Sequence, residues 1–173
     1  MVKIGIISDT HDNQFAIKNA VKIFLQESVE YIFHCGDIIA PFSLLPLFET
    51  KLPLRLVFGN NDGERLRAIE MVNEYAEGIL EEILLLEEIS GKKIAMTHGH
   101  HKTVLKSILE SGIYDIILSG HDHQKKREIQ PNGSLHINPG EAGGWIKKQA
   151  TIATIDLTNL DVKFLEINFE KEL

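Results

Sequence analysis

Residues 2–11, VKIGIISDTH, carry the strongest indication of the fold. Val2 to Ser8 is almost continuously apolar and rich in β-branched side chains, which is typical of a strand buried on both faces of a parallel sheet. Asp9, Thr10 and His11 follow at once. Because binding sites in open α/β sheets assemble at the carboxyl ends of the strands, this polar triplet predicts a site where the strand ends.

Strands and helices alternate through the rest of the first half, which predicts a parallel sheet with helical crossovers. Asp12 and Asn13 offer side chains that can cap the first helix, and Pro41 suits the first turn of a short helix. The predicted elements are a helix over residues 14–28, a strand over 31–34, a short helix over 41–48, a strand over 54–58 and a helix marked by Leu66, Ile69, Val72 and Ala76.

The second half contains more strands than one sheet needs. One further helix, marked by Val104, Leu105, Ile108 and Leu109, is expected to end at Gly112. Turns at residues 131–133 and 158–159 predict two hairpins. The predicted strands cover residues 79–86, 92–97, 116–118, 125–130, 134–138, 149–157 and 160–168. We therefore expect an α/β fold of two stacked sheets with helices outside, as a single domain over residues 1–173.

The composition of the 173 residues is that of an ordinary globular protein, with 43% hydrophobic and 25% charged residues. A net charge of −7 argues against long nucleic acid or anionic lipid as the main partner. The apolar runs are too short to span a membrane, and the N-terminus lacks a secretory signal pattern. Cys35 is the only cysteine, which excludes an intramolecular disulfide and a thiolate zinc cluster. We expect a cytoplasmic protein with no membrane partner.

Four more predicted strands also end in Asp, Asn or His. Their ends read Gly36-Asp37, Gly59-Asn60-Asn61-Asp62, Thr97-His98-Gly99-His100 and Gly120-His121-Asp122-His123. Residues two apart, such as Asp9 and His11, would point the same way from an extended backbone. Carboxylate, imidazole and amide groups without thiolates suit manganese, iron, zinc or nickel. The candidate ligands, too many for one ion and enough for two with a bridging carboxylate, are Asp9, His11, Asp37, Asn60, His98, His121 and His123.

These five motifs, in this order at successive strand ends, resemble the calcineurin-like metallophosphoesterase superfamily, in particular its small single-domain phosphodiesterases. The resemblance covers nearly the whole chain and implies a four-layer α/β/β/α sandwich of two mixed sheets, the metallo-dependent phosphatase fold. It implies that one ion is held by Asp9, His11 and His123. It assigns the second ion to Asn60, His98 and His121, with Asp37 bridging the two.

The resemblance also implies an activity, the hydrolysis of a small phosphate ester, most simply a phosphodiester. Manganese or nickel is the expected metal, with zinc and iron as alternatives. Two ions would lower the pKa of a bridging water, and the resulting hydroxide would attack phosphorus in line. The expected catalytic residues are Asp37, Asn60, His98 and His100.

Two positions depart from the family pattern. Asn61 stands where much of the superfamily has a histidine that protonates the leaving group, and an amide cannot act as a general acid. The proton must then come from His100, a metal-bound water or solvent, or the substrate must have a good leaving group. Glu141 stands where relatives usually have serine, which leaves the pocket rim and the choice of substrate open.

Several other residues have competing interpretations. Asp62 can cap the following helix, which is slightly preferred, or orient a neighbouring site group, and the two roles are compatible. His34 and His136 lie inside strand-like runs and are expected to be structural. Trp145 either lines the pocket or anchors a contact between copies in a homo-oligomer, and His101 is expected to begin a helix in solvent.

An alternative to catalysis is a non-catalytic protein-binding scaffold of the same fold, as in the retromer subunit, where metal-site residues are partly lost. Every expected ligand position here keeps a competent side chain, which favours the enzyme. A nuclease acting on long nucleic acid would need a basic approach surface, which the composition does not show.

Overall fold

The computed structural model describes residues 2–168, and within them eleven strands form two sheets. The first sheet has the order β11-β10-β1-β2-β3-β4 and the second the order β5-β6-β7-β9-β8. The strands are β1 Lys3–Ile7, β2 Tyr31–His34, β3 Leu54–Val57, β4 Gly78–Glu81, β5 Leu84–Ile89, β6 Lys92–Thr97, β7 Ile116–Leu118, β8 Lys126–Ile129, β9 Leu135–Asn138, β10 Ala150–Asp156 and β11 Asp161–Ile167.

Both sheets are mixed. Strands β1 to β4 run parallel to one another, and the β10–β11 hairpin continues the first sheet antiparallel to β1. In the second sheet β6, β7 and β9 are parallel, with β5 and β8 antiparallel at its two edges. The two predicted hairpins are therefore confirmed.

The helices begin and end at residues whose chemistry explains the boundary. They are α1 Gln14–Gln26, a 3₁₀ turn Pro41–Leu44 that continues into α2 Leu45–Phe48, α3 Arg65–Tyr75 and α4 Lys102–Ser111. The side chain of Asn13 accepts a hydrogen bond from the Ala16 N–H, as an N-cap does. Gly112 ends α4 with a φ of 65°, a conformation that glycine adopts without strain. Both predicted boundaries are confirmed.

Burial on both faces of β1 sets the layer order. Ile4 and Ile6 pack into a cluster between the two sheets, together with residues of the second sheet such as Ile94 and Ile137. On the other face, a Cβ built on Gly5 would lie 2.7 Å from the Phe24 ring of α1, so helix and strand meet closely there. A third cluster, which contains Ala95, Ile108 and Ile117, lies beneath α4. The predicted layering of helices outside two stacked sheets is confirmed.

The prediction of one strand over residues 79–86 was wrong. The chain pairs with β3 as β4 up to Glu81, turns at Glu82 and Ile83, and enters the second sheet as β5 at Leu84. The apolar residues on either side of Glu81 and Glu82 contain no signal for the sheet to which they belong, because either sheet can bury them. The turn at residues 82–83 is the point at which the chain passes between sheets.

Candidate metal centre

Left-handed backbone conformations gather at the strand ends that carry the candidate ligands. Asp9 has a φ of 53°, Asp37 of 57° and His121 of 72°. His11 and His123 have φ values of 44° and 59°. The expectation that an extended backbone aligns Asp9 with His11 was therefore wrong, since the turns themselves direct the side chains. Such conformations in L residues cost on the order of 1 kcal/mol or more each, and they cluster at functional sites.

Glycines let these loops approach one another. A Cβ on Gly59 would overlap the Asp37 carboxylate, and a Cβ on Gly120 would overlap Ser8 Oγ and lie 2.7 Å from Asp9 Oδ2. The Gly120 N–H also donates to the His98 carbonyl at 2.9 Å. The strand ends of both sheets are therefore in direct contact, and side chains larger than hydrogen are excluded at these two positions.

A first group of candidate ligands consists of Asp9, His11 and His123. Asp9 Oδ1 lies 3.2 Å from His123 Nε2 and 4.0 Å from His11 Nε2. Asp9 is fully buried, whereas both imidazoles are partly exposed. The structure thus brings together three residues from the ends of β1 and β7, as the sequence predicts.

A second group consists of Asp9, Asp37 and His98, all of them buried. His98 Nε2 lies 3.4 Å from Asp37 Oδ2, and His98 Nδ1 lies 2.7 Å from the Cys35 carbonyl, which fixes the plane of the ring. Asp37 Oδ2 is also 3.8 Å from His11 Nε2. Asp9 belongs to both groups. Asp37 lies close to His11 of the first group and to His98 of the second.

Several ligand atoms at these two groups are buried without any hydrogen bond within residues 2–168. They are Asp9 Oδ1, His11 Nε2, His98 Nε2 and His123 Nδ1. Buried polar atoms in folded proteins are nearly always paired, so each unpaired atom needs an explanation. A divalent cation explains the carboxylate and Nε2 atoms together, because it accepts lone pairs from several ligands at one point. The residues present therefore fit a metal ion.

Carboxylates and imidazoles shift each other's pKa across the site. Burial would raise the pKa of Asp37, but His98 and the N–H groups of Asn61 outweigh burial and bring it well below its usual value. Burial opposes a similar lowering of the pKa of Asp9, which comes from His123 and His98. Asp9 raises the pKa of His123, and Asp37 and Asp9 raise that of His98 against its burial. The negative charges of the carboxylates and the positive charges of the protonated imidazoles thus stabilise each other.

Asn61, rather than Asn60, makes the contacts with the candidate ligands among the described residues. Asn60 is exposed, and its side chain makes no hydrogen bond within the described residues. Asn61 instead donates from its backbone N–H to Asp37 Oδ1 at 2.9 Å and from its side-chain amide to Asp37 Oδ2 at 2.8 Å. A ligand role for Asn60 stays a prediction, and Asn61 has a contact with Asp37 that its type alone did not indicate.

Asp62 orients the Asp37 loop, so the slight preference for a helix cap was wrong. Its carboxylate accepts hydrogen bonds from the backbone N–H groups of Asp37, Ile38 and Ile39 at 3.1, 2.6 and 2.7 Å. The residue before α3 is Glu64, which makes no side-chain cap. A buried carboxylate that accepts several converging N–H groups forms stronger hydrogen bonds than it would at an exposed helix terminus. The alternative interpretation of Asp62 is the one that the structure supports.

His100 and His121 complete the histidine cluster on the side of the second sheet. The His121 ring lies 5.2 Å from that of His98 and 6.1 Å from that of His100, measured between centroids. Burial and neighbouring imidazoles lower the pKa of both His100 and His121. His101 is exposed before α4, as expected, and its ring lies 4.0 Å from that of His100.

His34 and His136 are structural, as predicted. His34 Nδ1 accepts from the Gly36 N–H at 3.1 Å, and its Nε2 is 3.1 Å from Thr10 Oγ1. His136 Nε2 is 2.8 Å from Ser119 Oγ. Burial lowers the pKa of each of these two histidines to about 4.

Glu141 is a buried carboxylate at the site that sequence reasoning placed only on the rim. It is 1% exposed, and its Oε2 lies 3.3 Å from His123 Nδ1. Burial would raise its pKa, but the N–H groups of Ile146 and Lys147, the charge of His123 and a further N–H from Trp145 together lower it. The position after β9 was the available signal, since β9 is another parallel strand that ends at this edge.

A family model for the calcineurin-like phosphoesterase superfamily domain matches residues 2–160. The chain belongs to this superfamily. The resemblance found in the sequence motifs is thereby confirmed, and with it the α/β fold of two mixed sheets. That residues 1–173 form a single domain stays a prediction.

A curated phosphodiesterase and a solved structure of an archaeal phosphodiesterase are both similar to this chain. Phosphodiesterase MJ0936 of Methanocaldococcus jannaschii is 37% identical over 155 residues, which are 90% of this chain and 93% of that protein. A solved structure described as a novel archaeal phosphodiesterase has a TM-score of 0.90 at 36% identity, covering 95% of this chain and 99% of that one. In both comparisons the similarity extends over nearly the whole length of the two chains compared.

A more distant structural likeness is to Vps29 from Chaetomium thermophilum. Its TM-score is 0.67 at 13% identity, covering 96% of this chain and 97% of that one. At this identity the likeness shows the fold alone, since one fold hosts unrelated functions. Within residues 2–168, no helix combines the length and apolar character needed to cross a membrane.

Proposed function

We propose that this superfamily member is a metal-dependent phosphodiesterase that hydrolyses a small phosphate ester with two divalent ions. The observation that carries the proposal is the set of buried, unpaired ligand atoms on Asp9, His11 and His98 at the meeting point of the strand ends. A protein that used this edge only as a scaffold would have no need of unpaired polar atoms there. The likeness to phosphodiesterase MJ0936 and to the solved archaeal phosphodiesterase supports the same class of reaction.

Each residue keeps the role that the family resemblance implies. Asp9, His11 and His123 would hold one ion, and their close approach supports this assignment. Asn60, His98 and His121 would hold the second. Asp37 would lie between the ions, and its position 3.4 Å from His98 and 3.8 Å from His11 supports a bridging role.

Divalent ions, when bound, would make a water molecule more acidic and stabilise charge on the phosphate oxygens. The chain's own part is to hold Asp9 and Asp37 ionised, since both have a lowered pKa. Asn61 orients Asp37 through two hydrogen bonds. In the hydrolysis a water oxygen joins phosphorus, the ester P–O bond breaks, and the departing alkoxide oxygen takes up a proton that balances the one lost by the water.

The source of that proton shapes the expected substrate. Asn61 cannot supply one, and its amide is engaged with Asp37. His100 is the candidate outside the expected ligand set, since its Nδ1 is buried without a hydrogen bond in the described residues and its ring is 5.4 Å from that of His98. We therefore expect a preference for diesters with good leaving groups, and for manganese or nickel as the supporting ion.

The test is hydrolysis of bis(p-nitrophenyl) phosphate by metal-stripped protein before and after addition of Mn²⁺. Activity should be absent without metal and return with Mn²⁺, and p-nitrophenyl phosphate should be a poorer substrate. Absence of hydrolysis with Mn²⁺, Ni²⁺, Zn²⁺ and Fe²⁺ alike would favour the scaffold alternative, whose fold this chain shares.

A further inference from the structure

Glu141 holds the loop that follows it. Its Oε1 accepts hydrogen bonds from the N–H groups of Trp145 at 2.6 Å and Ile146 at 2.9 Å, and its Oε2 accepts from Lys147 at 2.9 Å. Three successive backbone donors converging on one carboxylate are a strong anion-binding arrangement. The loop over residues 143–147 is therefore built around this side chain.

The same carboxylate lies behind a candidate metal ligand. Oε2 of Glu141 is 3.3 Å from Nδ1 of His123, while Nε2 of that imidazole faces Asp9 Oδ1 at 3.2 Å. The ring is thus held between two buried carboxylates. In metal sites, a carboxylate on the far nitrogen of a histidine fixes the tautomer and the orientation of the ring that presents the near nitrogen.

The loop also returns to the backbone of the other two residues of the first group, Asp9 and His11. The indole Nε1 of Trp145 donates to the His11 carbonyl at 3.2 Å, and the Gly143 N–H donates to the Asp9 carbonyl at 2.9 Å. Trp145 is nevertheless 64% exposed. The loop therefore contacts two members of the first ligand group, Asp9 and His11, directly and the third, His123, through Glu141, while it presents its indole to solvent.

We infer that Glu141 is a positioning residue that couples the imidazole of His123 to the loop over residues 143–147. Occupancy of the first ligand group and order of this loop are then linked, because one side chain serves both. A glutamine in its place would turn an N–H₂ donor toward backbone donors or toward His123, so both contacts could not be kept. The inference rests on the proposed function in taking His123 as a ligand.

The first experiment compares Glu141→Gln with Glu110→Gln, which changes an exposed glutamate on α4 in the same way. Calorimetric titration with Mn²⁺ should show about 10- to 100-fold weaker binding in E141Q. In E110Q the affinity should stay within about twofold of wild type, as for other exposed ion pairs.

Trp145 supplies a readout that is independent of activity, because it is the only tryptophan. Acrylamide should quench its fluorescence more strongly in E141Q than in wild type or E110Q, since the loop loses its anchor. Mn²⁺ should reduce the quenching in wild type and have a smaller effect in E141Q. Circular dichroism establishes that each variant is folded.

Hydrogen exchange in wild-type protein tests the inference should E141Q not fold. Addition of Mn²⁺ should slow exchange in the segment over residues 143–147 and leave the turn over residues 158–160 unchanged. Unchanged exchange in a protein that binds Mn²⁺ overturns the inference alone, as does a folded E141Q with wild-type affinity and quenching. A wild-type protein that binds no divalent ion overturns the proposed function together with the inference.

Discussion

The two sheets contribute different chemistry to the site. To the two ligand groups, strand ends of the first sheet supply both carboxylates, Asp9 and Asp37, and one imidazole, His11, while strand ends of the second sheet supply only imidazoles, His98 and His123. Each compact ligand group draws on both sheets. The difference shows that neither sheet alone assembles either ligand group, so the contact between the sheets builds the candidate site as well as the core.

The pKa values of the candidate ligands also depend on the contact between the two sheets. Each carboxylate has its pKa lowered by imidazoles from the opposite sheet, and His98 and His123 have theirs raised by carboxylates of the first sheet. Removing a carboxylate and removing an imidazole should therefore have unequal effects, because a divalent cation gains more from a full negative charge than from a neutral nitrogen.

Replacing Asp37 with alanine should have the largest effect. The variant loses the carboxylate that faces imidazoles of both groups, so we expect kcat/KM for a chromogenic diester to fall by at least about 10³-fold, or about 4 kcal/mol. Binding of Mn²⁺ should be lost at both positions, measured as metal per protein. The control is Asp161→Asn, an exposed carboxylate on β11. A D37A protein with full activity would exclude the two-ion assignment.

The pH dependence of stability should separate the site imidazoles from a buried one outside the site. Burial lowers the pKa of His136 to about 4 in the folded protein, whereas an unburied histidine in the unfolded chain has a pKa of 6.5. The unfolded chain therefore binds the proton first, and stability is lost as pH falls from 6.5 toward 4. The contribution over this interval is roughly 3 kcal/mol.

Urea unfolding of metal-free protein measures this loss. His136→Gln should be less stable than wild type near pH 7 and should show a shallower fall toward pH 4, with the contribution of His34 remaining in both. His101→Gln, which changes an exposed histidine, should follow the wild-type curve. Parallel curves for H136Q and wild type would contradict the expectation.

Replacing His98 with alanine should weaken activity by about 100-fold, less than D37A, because both carboxylates remain to attract the cations. High Mn²⁺ should restore part of the activity of H98A and none of that of D37A. Steady-state rates across a Mn²⁺ series measure the difference. Equal, unrestorable losses in the two variants would break the distinction between the two sides of the site.

Gly120→Ala tests how closely the two sheets must approach each other. It should have the smallest effect of these variants, and the effect should be on stability. Its Cβ would overlap Ser8 Oγ and crowd Asp9 Oδ2, so we expect a loss of about 1–3 kcal/mol in the free energy of unfolding. Gly63 is the matched control, because a Cβ there meets nothing within 4 Å. Thermal and urea unfolding of both variants measure the difference, and equal stabilities would show that the strand ends can move apart.

The sequence predicted most of the fold because its signals were local. The alternation of buried strands with capped helices gave β1 through α3 within a few residues, and turn residues gave both hairpins. The division of residues 79–86 between two sheets was missed. That division depends on which sheet each strand pairs with, and pairing over long distances leaves no local pattern.

The site was predicted in its residue types and only partly in its geometry. The six Asp and His candidates gather at one edge, as expected from strand ends. The left-handed turns and the contact of Asn61 with Asp37 were missed, and the role of Asp62 beneath the Asp37 loop was only the second choice of two. Each depends on backbone conformation or on hydrogen-bond partners distant in sequence, which residue type and spacing do not reveal.

The pairing of β1 with β10 has a consequence for biosynthesis. Lys3 lies opposite Asp156 in this sheet, so the strand that presents Asp9 gains its second neighbour only after β10 has been synthesised. Contacts of such sequence separation form late and slow the folding of the chain. The strand that carries Asp9 therefore stays an unpaired edge until β10 has emerged from the ribosome.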